Sequence, residues 1–363
     1  MPFFGIAVGD AELVRTIIAD EEHFSKSGPG SAGVFYDQVM GRRALMNMDG
    51  AAHQELRRRI GDLFAPSYLT VVAREVLEPT IARLEAELST GATVDLVPFA
   101  HLLTGRMICH QLGFTPAVEH EEETYLKLYD TGERLVGSLR LSRRALSGSE
   151  IARARRTYDE LMAIARTSAS KNVLETSIVA RLRSAGLDET EVEGVLGSLF
   201  LVGTQSVSTA LPRIVALLLD TGEMARLRAA PELVDRAIDE GLRYVVPSPV
   251  TLRRVAKTIT LDGHRFREGD RVVVLTYNAA KDPQVFPSPF VFDIGRHHPA
   301  AGRHLWFGAG QHFCLGFGLA HMEIRWVLES LLRAGEVEVV SRRAARGVLL
   351  PAYGTFRIRK RTG

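Results

Sequence analysis

Apolar residues recur at steps of three and four along most of the first two thirds of the chain. The segments "DAELVRTIIADEEHF", "DGAAHQELRRRIGDLF" and "PSYLTVVAREVLEPTIARLEAEL" show this period, as do "FAHLLTGRMICHQLG", an acidic stretch near 117–135 and residues 149–168. This spacing places the apolar residues on one face of an α-helix. We therefore predict amphipathic helices there, with the most loop-like segment at 139–150.

The longest predicted helix begins with a capping-box pattern, Asp188 to Glu191, and runs to about Asp220. At ~1.5 Å per residue such a helix is roughly 45 Å long, so it must cross the whole protein. A further helix is predicted around "VDRAIDEGLRYV".

A different pattern begins at Pro247 and continues to Phe292. There "VTLRRVAKTITLDGHRFREGDRVVVLTYNAA" alternates β-branched residues with polar ones and carries turn signals at 262–263 and 268–270. This pattern predicts a small antiparallel sheet. Because we find no internal repeat and no long linker, we predict a mainly α fold with a minor antiparallel β part, in a single domain over 1–363.

Composition and charge narrow the classes of function. The chain has 363 residues, 46% of them apolar and 24% charged, which is typical of a soluble globular protein with a large core. A net charge of +2 gives no sign of a nucleic-acid partner. Two cysteines indicate a reducing compartment, and the first residues lack the pattern of a signal peptide or membrane anchor. We expect a cytoplasmic protein.

The stretch "FGAGQHFCLG" holds one of the two cysteines. Cys314 precedes an apolar helical face, so its sulfur lies near a helix N-terminus, where the dipole and free amides favour a thiolate. Gly308, Gly310 and Gly316 have no side chains, so a flat, bulky group could approach the backbone. The other cysteine, Cys109, lies about two hundred positions away in an apolar stretch, so the sulfur requires a local explanation.

The residues alone leave two alternatives to a metal cofactor bound by this thiolate. Zinc is one, because His304, His312 and His321 are close in sequence, although a single cysteine with irregularly spaced histidines lacks the paired-cysteine spacing of structural zinc sites. A buried, inert cysteine beside loop glycines is the other.

Six residues of this stretch reproduce F-G-x-G-x-H-x-C-x-G, the haem-binding pattern of the cytochrome P450 family, which the chain resembles: Phe307, Gly308, Gly310, His312, Cys314 and Gly316. The resemblance implies the cytochrome P450 fold, with haem b between the long helix 188–220 and the loop 307–316. It implies that Cys314 is the proximal iron ligand, that Phe307 lies against the haem and that His312 binds a propionate. Loop amides would donate to the sulfur and tune its potential.

Two more segments match family motifs in the family's order. "EGLR", Glu240 to Arg243, is similar to E-x-x-R, which Arg296 of "FDIGR" would complete. A Glu and an Arg at this spacing share a helix face, and by itself such a pair usually lies at the surface. The resemblance implies instead a structural role behind the haem.

The motif "HQELR" places His53 and Arg57 on one helix face and matches the family's H-x-x-x-R. Carboxylates on a haem edge need cationic partners, so the resemblance implies that His53 and Arg57 hold the propionates. Arg254 of "RRVA" would be the third such contact.

The long helix departs from the family pattern. "LVGTQS" stands where the family usually carries A/G-G-x-[D/E]-T across the distal face of the haem. Gly203 is kept and would leave room for dioxygen, whereas Gln205 replaces the acid and Ser206 the threonine. An amide can orient water but cannot relay protons as a carboxylate does. An alternative for this stretch is a helix kink whose Ser and Thr hydroxyls bond back to the i−4 carbonyls.

The front of the chain departs as well. The family normally has a helix and a strand pair before the segment that starts here at Phe3. We therefore expect the edge of the small sheet and one wall of the substrate entrance to differ from the family.

The resemblance implies a haem-thiolate monooxygenase that inserts one atom of O₂ into a small organic molecule, in secondary metabolism, with electrons from a ferredoxin and its reductase. Residues 57–59, Arg303 and Arg325 are predicted to collect on the docking face. Gln205 leaves open oxidative coupling, peroxide-driven oxidation or rearrangement; a haem-binding sensor without turnover is an alternative of another class. We expect a monomer. Substrate contacts carry no portable sequence code.

Overall fold

The computed structural model of the chain describes residues 5–41, 44–114, 120–138, 146–167, 177–348 and 350–361. Helices make up most of this part of the chain, which confirms the mainly α fold class. They are α1 Ala11–Ala19, α2 Gly33–Met40, α3 Gly50–Ile60, α4 Pro66–Val72, α5 Glu78–Ser89, α6 Leu96–Leu112, α7 Glu121–Val136, α8 Gly148–Thr167, α9 Ile178–Ser184, α10 Glu189–Asp220, α11 Glu223–Ala229, α12 Val234–Val245, α13 Thr276–Ala279 and α14 Phe317–Ala334.

The strands are short and belong to three sheets. They are β1 Ile6–Val8, β2 Phe24–Ser25, β3 Thr93–Asp95, β4 Thr251–Val255, β5 Ile259–Leu261, β6 His264–Phe266, β7 Arg271–Val274, β8 Val337–Ala344 and β9 Tyr353–Lys360. The spatial orders are β1-β7-β4-β2, β3-β9-β8 and β5-β6.

The predicted long helix is present as α10. The Asp188 side chain accepts from the Glu191 amide at 2.8 Å, and the Glu191 side chain accepts from the Asp188 amide at 3.2 Å, so the predicted capping box forms. The helix packs against α6, α7, α12 and α14. Among the described residues it alone is long and apolar enough to cross a membrane, and 83% of its apolar window is buried, as in a core helix.

The predicted helix that starts at Pro66 is helical to Ser89, but its geometry changes in the middle. A π-helical turn, Ala73–Leu77, separates α4 from α5, and Pro79 occupies the first turn of α5. Proline has no N–H to donate to the preceding turn, so a regular helix cannot continue through it. The apolar period continues through the π-helical turn, so the sequence predicts the helix but not its change of geometry.

The antiparallel sheet predicted between residues 247 and 292 is only part of the β structure. Strands β4 and β7 pair antiparallel, but β1 joins β7 in parallel, with Ile6 opposite Val272, so this sheet is mixed. The predicted turn at residues 262–263 closes the separate β5-β6 hairpin, with both residues at positive φ. The sheet of β3, β9 and β8 was not predicted.

Of the loop predicted at 139–150, residues 139–145 lie outside the described residues, and α8 begins at Gly148.

The core has two parts, and the cysteine loop lies beside the smaller one. A large cluster joins the helices around α10, whereas a smaller cluster joins α1 to β1, β4 and β7. Helix α1 also packs against the short turn Gly310–His312. The small sheet and α1 therefore fix the position of the cysteine loop.

Candidate active site

The cysteine loop is held by its own backbone. The Cys314 amide donates to the Phe307 carbonyl at 2.8 Å, while Gly308 and Gly310 have φ of 83° and 61°. A Cβ on Gly310 would lie 2.9 Å from the Cα of Ala19 in α1. Glycine is thus required by positive φ and by close packing on α1. The close approach of a cofactor to these glycines stays a prediction.

Cys314 lies two residues before the N-cap of α14 and has no disulfide partner, since both cysteines are free. Burial raises the pKa of the Cys314 thiol, and the Gly316 amide, Arg57 and Lys26 act in the opposite direction. Burial also raises the pKa of Cys109, which no such groups offset. The surroundings of Cys314 therefore stabilise a thiolate in part, and a bound metal would complete the deprotonation.

Aromatic rings pack under the loop. Phe307 meets Phe317 edge-on at 4.9 Å between ring centroids, and Phe313 lies 6.3 Å from Phe307. Phe307 is half-buried. That Phe307 lies against a haem stays a prediction, but its ring packs against two other aromatic rings of the cysteine loop and of the start of α14.

The structure brings three of the four predicted propionate residues together. Helix α3 carries His53 and Arg57 one turn apart. The His53 ring stacks on that of His312, with centroids 4.2 Å apart and planes inclined by 30°. Arg57 Nη2 donates to the carbonyl of Phe313 at 2.7 Å, which joins α3 to the cysteine loop.

The side chain of the fourth, Arg254, has a carboxylate neighbour outside this group. Its Nη2 is 4.0 Å from Glu268 Oε1, at a position with 28% side-chain exposure. Its neighbour Arg253 is 4% exposed, and the charge of Arg253 acts on His312. Successive side chains of a strand point to opposite faces, so β4 can direct only one of the two arginines to this cluster. Its burial and its effect on His312 favour Arg253, whose Nη1 donates to Thr251 Oγ1 and the Leu252 carbonyl. The role of Arg254 at a propionate stays a prediction.

Two carboxylates that the sequence analysis missed also reach this cluster. Glu21 Oε1 is 2.8 Å and Asp49 Oδ1 3.3 Å from His312 Nε2. Desolvation lowers the pKa of His312 to about 3, more than Asp49 raises it. Desolvation and the charge of Asp49 raise the pKa of Glu21. His53 is 1% exposed, and its Nδ1 lacks a hydrogen-bond partner among the described residues.

The charges around the cluster suit an anion. Three donor atoms lie within 4.8 Å of one another and could hold a metal ion: those of Glu21, His53 and His312. However, Lys26, Arg57 and Arg253 lie close enough for their charges to interact. These three cations outnumber the carboxylates of Glu21 and Asp49, so the balance of charge disfavours a divalent ion and favours added carboxylates. With Cys314 nearby as the predicted iron ligand, these residues fit the propionate edge of a haem.

The three histidines that suggested zinc do not converge. His304 Nε2 and His321 Nε2 lie 3.2 and 3.3 Å from Asp239 Oδ1, whereas His312 pairs with Glu21 and Asp49. His312 therefore does not share a site with His304 and His321, as the zinc alternative requires.

In α10, Gly203 and Gln205 both contact neighbouring helices. A Cβ on Gly203 would lie 2.7 Å from Ile108 Cδ1, so any larger residue there would displace the Ile108 side chain where α10 meets α6. Gln205 is 5% exposed, and its Nε2 donates to the Tyr129 carbonyl of α7 at 3.0 Å. Neither contact was predicted, because both depend on helices distant in sequence.

The hydroxyls of this helix bond back to its own carbonyls. Ser206 Oγ donates to the Val202 carbonyl at 2.9 Å, and Thr209 Oγ1 donates to the Gln205 carbonyl at 2.8 Å. Ser206 is half-buried, whereas Ser208 is 1% exposed. The bonds of the helix-kink alternative thus exist, although α10 is one continuous helix.

Glu240 and Arg243 form a buried pair and not a surface one. Arg243 Nε donates to Glu240 Oε2 at 2.7 Å, and Arg296 Nε donates to Oε1 at 3.1 Å. His298 Nε2, which the sequence argument missed, lies 3.1 Å from Oε2. Burial raises the pKa of Glu240, but the bonds from Arg243 and His298 outweigh it and lower the pKa to about 2. The carboxylate therefore stays charged.

Comparison with known proteins agrees with this geometry. A cytochrome P450 family model matches residues 223–349. A C-19 steroid 1alpha-hydroxylase of Sorangium cellulosum (strain So ce56) is 31% identical over 298 residues, which are 79% of this chain and 73% of that protein. The chain belongs to the cytochrome P450 family.

Other relatives of this P450 cover more of it. The putative cytochrome P450 YjiB of Bacillus subtilis (strain 168) is 27% identical over 95% of this chain and 86% of its own. The structure of CxnD, a P450 for C–S bond formation in chuangxinmycin biosynthesis, is 25% identical with a TM-score of 0.76, over 98% of this chain and 90% of its own. The family, the P450 fold, the haem cofactor and the class of monooxygenase are thereby confirmed.

Proposed function

We propose that this P450 hydroxylates or similarly oxidises a small organic molecule of secondary metabolism, as a single-domain cytoplasmic monomer that receives electrons from a ferredoxin. The observation that carries the proposal is that helix α3 contacts the loop of Cys314 in two ways: Arg57 donates to the Phe313 carbonyl, and His53 stacks on His312. The steroid hydroxylase among the relatives supports the reaction class.

When bound through Cys314, the haem supplies the activation of O₂ and the transfer of one oxygen atom to the substrate. The chain holds and tunes that group. The Gly316 amide stabilises the thiolate. His53, Arg57 and His312 would bind the propionates, and the ion pairs of Glu240 would fix the structure behind them.

Ser206 is the residue to which we assign proton delivery. Its hydrogen is donated to the Val202 carbonyl, so its oxygen can accept a hydrogen bond from water and orient that water. Gln205 is engaged at the Tyr129 carbonyl, and we assign it to joining α10 and α7. A Gln205→Glu variant would lose this bond, because an ionised carboxylate cannot donate to a carbonyl.

The ferredoxin is proposed to dock on the basic side of the cysteine loop. Arg58 and Arg59 have exposed side chains there, although both pair with Glu55. Arg325 is partly neutralised by Asp235. Surface pairs of this kind exchange partners at little cost, so the face can still attract an acidic protein.

A second candidate reaction is oxidative coupling, with peroxide-driven oxidation or rearrangement as variants of it. It is favoured by Gln205 in place of an acid and by the C–S bond formation of CxnD. A sensor without turnover has no such support, since the relatives include hydroxylases.

Ser206→Ala separates the two candidate reactions. With a substrate found by a spectral-shift screen and a ferredoxin system as reductant, we measure product formed and peroxide released per NADPH consumed. General acid–base assistance contributes typically 10² to 10⁴-fold, so product per NADPH should fall strongly and peroxide should rise.

The matched control is Ser208→Ala, a buried serine that bonds back to the Thr204 carbonyl in the same helix, and it should leave the ratio unchanged. An unchanged ratio in Ser206→Ala would reject the proton-delivery role and favour the second candidate.

A further inference from the structure

Lys26 lies at the edge of the propionate cluster, and Asp49 holds it there. The Lys26 amide donates to Asp49 Oδ1 at 3.2 Å, and the same oxygen is 3.3 Å from His312 Nε2. Ser25 Oγ and the Ser27 amide both donate to Asp49 Oδ2, at 2.5 and 3.0 Å. Four groups thus share one carboxylate, and the backbone of Lys26 is fixed close to His312.

The Lys26 ammonium lies close enough to the candidate active site for its charge to act on groups there. Its charge acts on His53, His312 and Cys314, each of which belongs to a different part of that site. A lysine stem is flexible enough to reach several of them. In the described part of the chain, no hydrogen bond or salt bridge holds the Lys26 Nζ.

Burial and two neighbouring arginines disfavour the charged form of this ammonium. Desolvation and the neighbouring Arg253 and Arg57 lower the pKa of Lys26 to about 7, against the opposing effect of Asp49. Asp49 itself is already engaged by two serines and His312. An anion that approached Lys26 would relieve this repulsion, because opposite charges favour the charged form.

We propose that Lys26 binds a haem propionate. An ammonium offers three donors and can pair with a carboxylate that two histidines and an arginine only partly satisfy. Lys26 thereby becomes a cofactor-positioning residue on a segment, after β2, that none of the matched motifs includes. The proposal rests on the propionate site described above, and its test uses haem retention without turnover.

The test compares two cofactors in the full-length protein. The parent and Lys26→Met are each loaded with haem or with iron protoporphyrin IX dimethyl ester, whose carboxylates are blocked. Loss of the cofactor to excess apomyoglobin is followed by absorbance. Methionine keeps most of the apolar stem of lysine and removes its charge. Loss of one charge-assisted hydrogen bond changes a dissociation rate or equilibrium constant roughly 10- to 100-fold.

Haem should leave Lys26→Met about 10- to 100-fold faster than it leaves the parent. With the dimethyl ester the two proteins should lose the cofactor at the same rate. Lys26→Arg should retain haem nearly as the parent does. Lys257→Met is the control, because Lys257 is exposed and pairs with Glu22.

Equal haem loss from the parent and Lys26→Met would overturn the proposal. So would faster loss that persists with the dimethyl ester, because the lysine would then act through the fold and not through a propionate. Should Lys26→Met fail to fold, Lys26→Gln replaces it. Faster loss of haem but not of the dimethyl ester from Lys26→Gln would support the proposal, and any other result would overturn it.

Discussion

The buried carboxylate of Glu240 should carry a large share of the stability of the region behind the cysteine loop. It is 0% exposed and receives donors from Arg243, Arg296, His298 and the Asp293 amide. Glu240→Gln keeps the size of the side chain and removes its charge. The Arg243 guanidinium, also 0% exposed, would then be buried without its counter-ion.

Two independent figures set the size of the loss. The pKa of Glu240 falls from its ordinary value of 4.5 to about 2, which corresponds to about 3 kcal/mol at 1.36 kcal/mol per pH unit. Removal of one partner of a buried pair costs roughly 3–5 kcal/mol. We expect Glu240→Gln to lower the free energy of unfolding by about 3 kcal/mol or more.

The assay is urea unfolding of the haem-loaded protein at pH 7, followed by circular dichroism. Because the folded pKa lies below the unfolded one, the contribution of Glu240 is full above pH 4.5 and is lost as the pH falls toward 2. The difference between parent and variant should therefore shrink in acid. Glu338→Gln, which breaks an exposed pair with Arg359, is the control and should not change the midpoint. A loss below about 1 kcal/mol in Glu240→Gln would refute the reasoning.

Two further predictions concern single charged groups. Burial raises the pKa of Glu323, which is 2% exposed on α14, to about 8, so the stability that its neutral form gives is full below pH 4.5 and is lost as the pH rises through 8. Glu323→Gln should therefore reduce the pH dependence of the free energy of unfolding between pH 5 and 8 by about 1.4 kcal/mol per pH unit. The same pH dependence in parent and variant, measured by urea unfolding, would contradict this. Arg253→Met should speed haem loss about 10-fold or more while Arg254→Met should not, and the reverse result would restore Arg254 as the propionate contact.

The parts of the fold that the sequence predicted correctly are those fixed by local patterns. The capping box of α10 needs only Asp188 and Glu191, which lie within one turn of each other. The mixed sheet could not be predicted in the same way, because β1 and β7 are separated by more than 250 residues and β1 is only three residues long. Parallel pairing leaves no turn in the sequence to mark it.

The candidate site divides along the same line. Cys314 and His312 follow from a short pattern, and the structure adds their contacts. Arg253 and Glu21 were missed because their importance depends on which way a strand faces and on where α1 ends. Gln205 was correctly noted as unusual, but its bond to Tyr129 required the packing of two helices to be known.

The ligation of the haem iron by Cys314 is the central claim, and the carbon monoxide difference spectrum of the reduced protein tests it most directly. The parent and Cys109→Ser should both absorb at the long-wavelength position of thiolate-ligated haem, since Cys109 is buried in α6, away from the loop. Cys314→Ala should lose that band entirely, because no other described cysteine can replace the sulfur. A Cys314→Ala protein that binds haem and keeps the band would contradict the account.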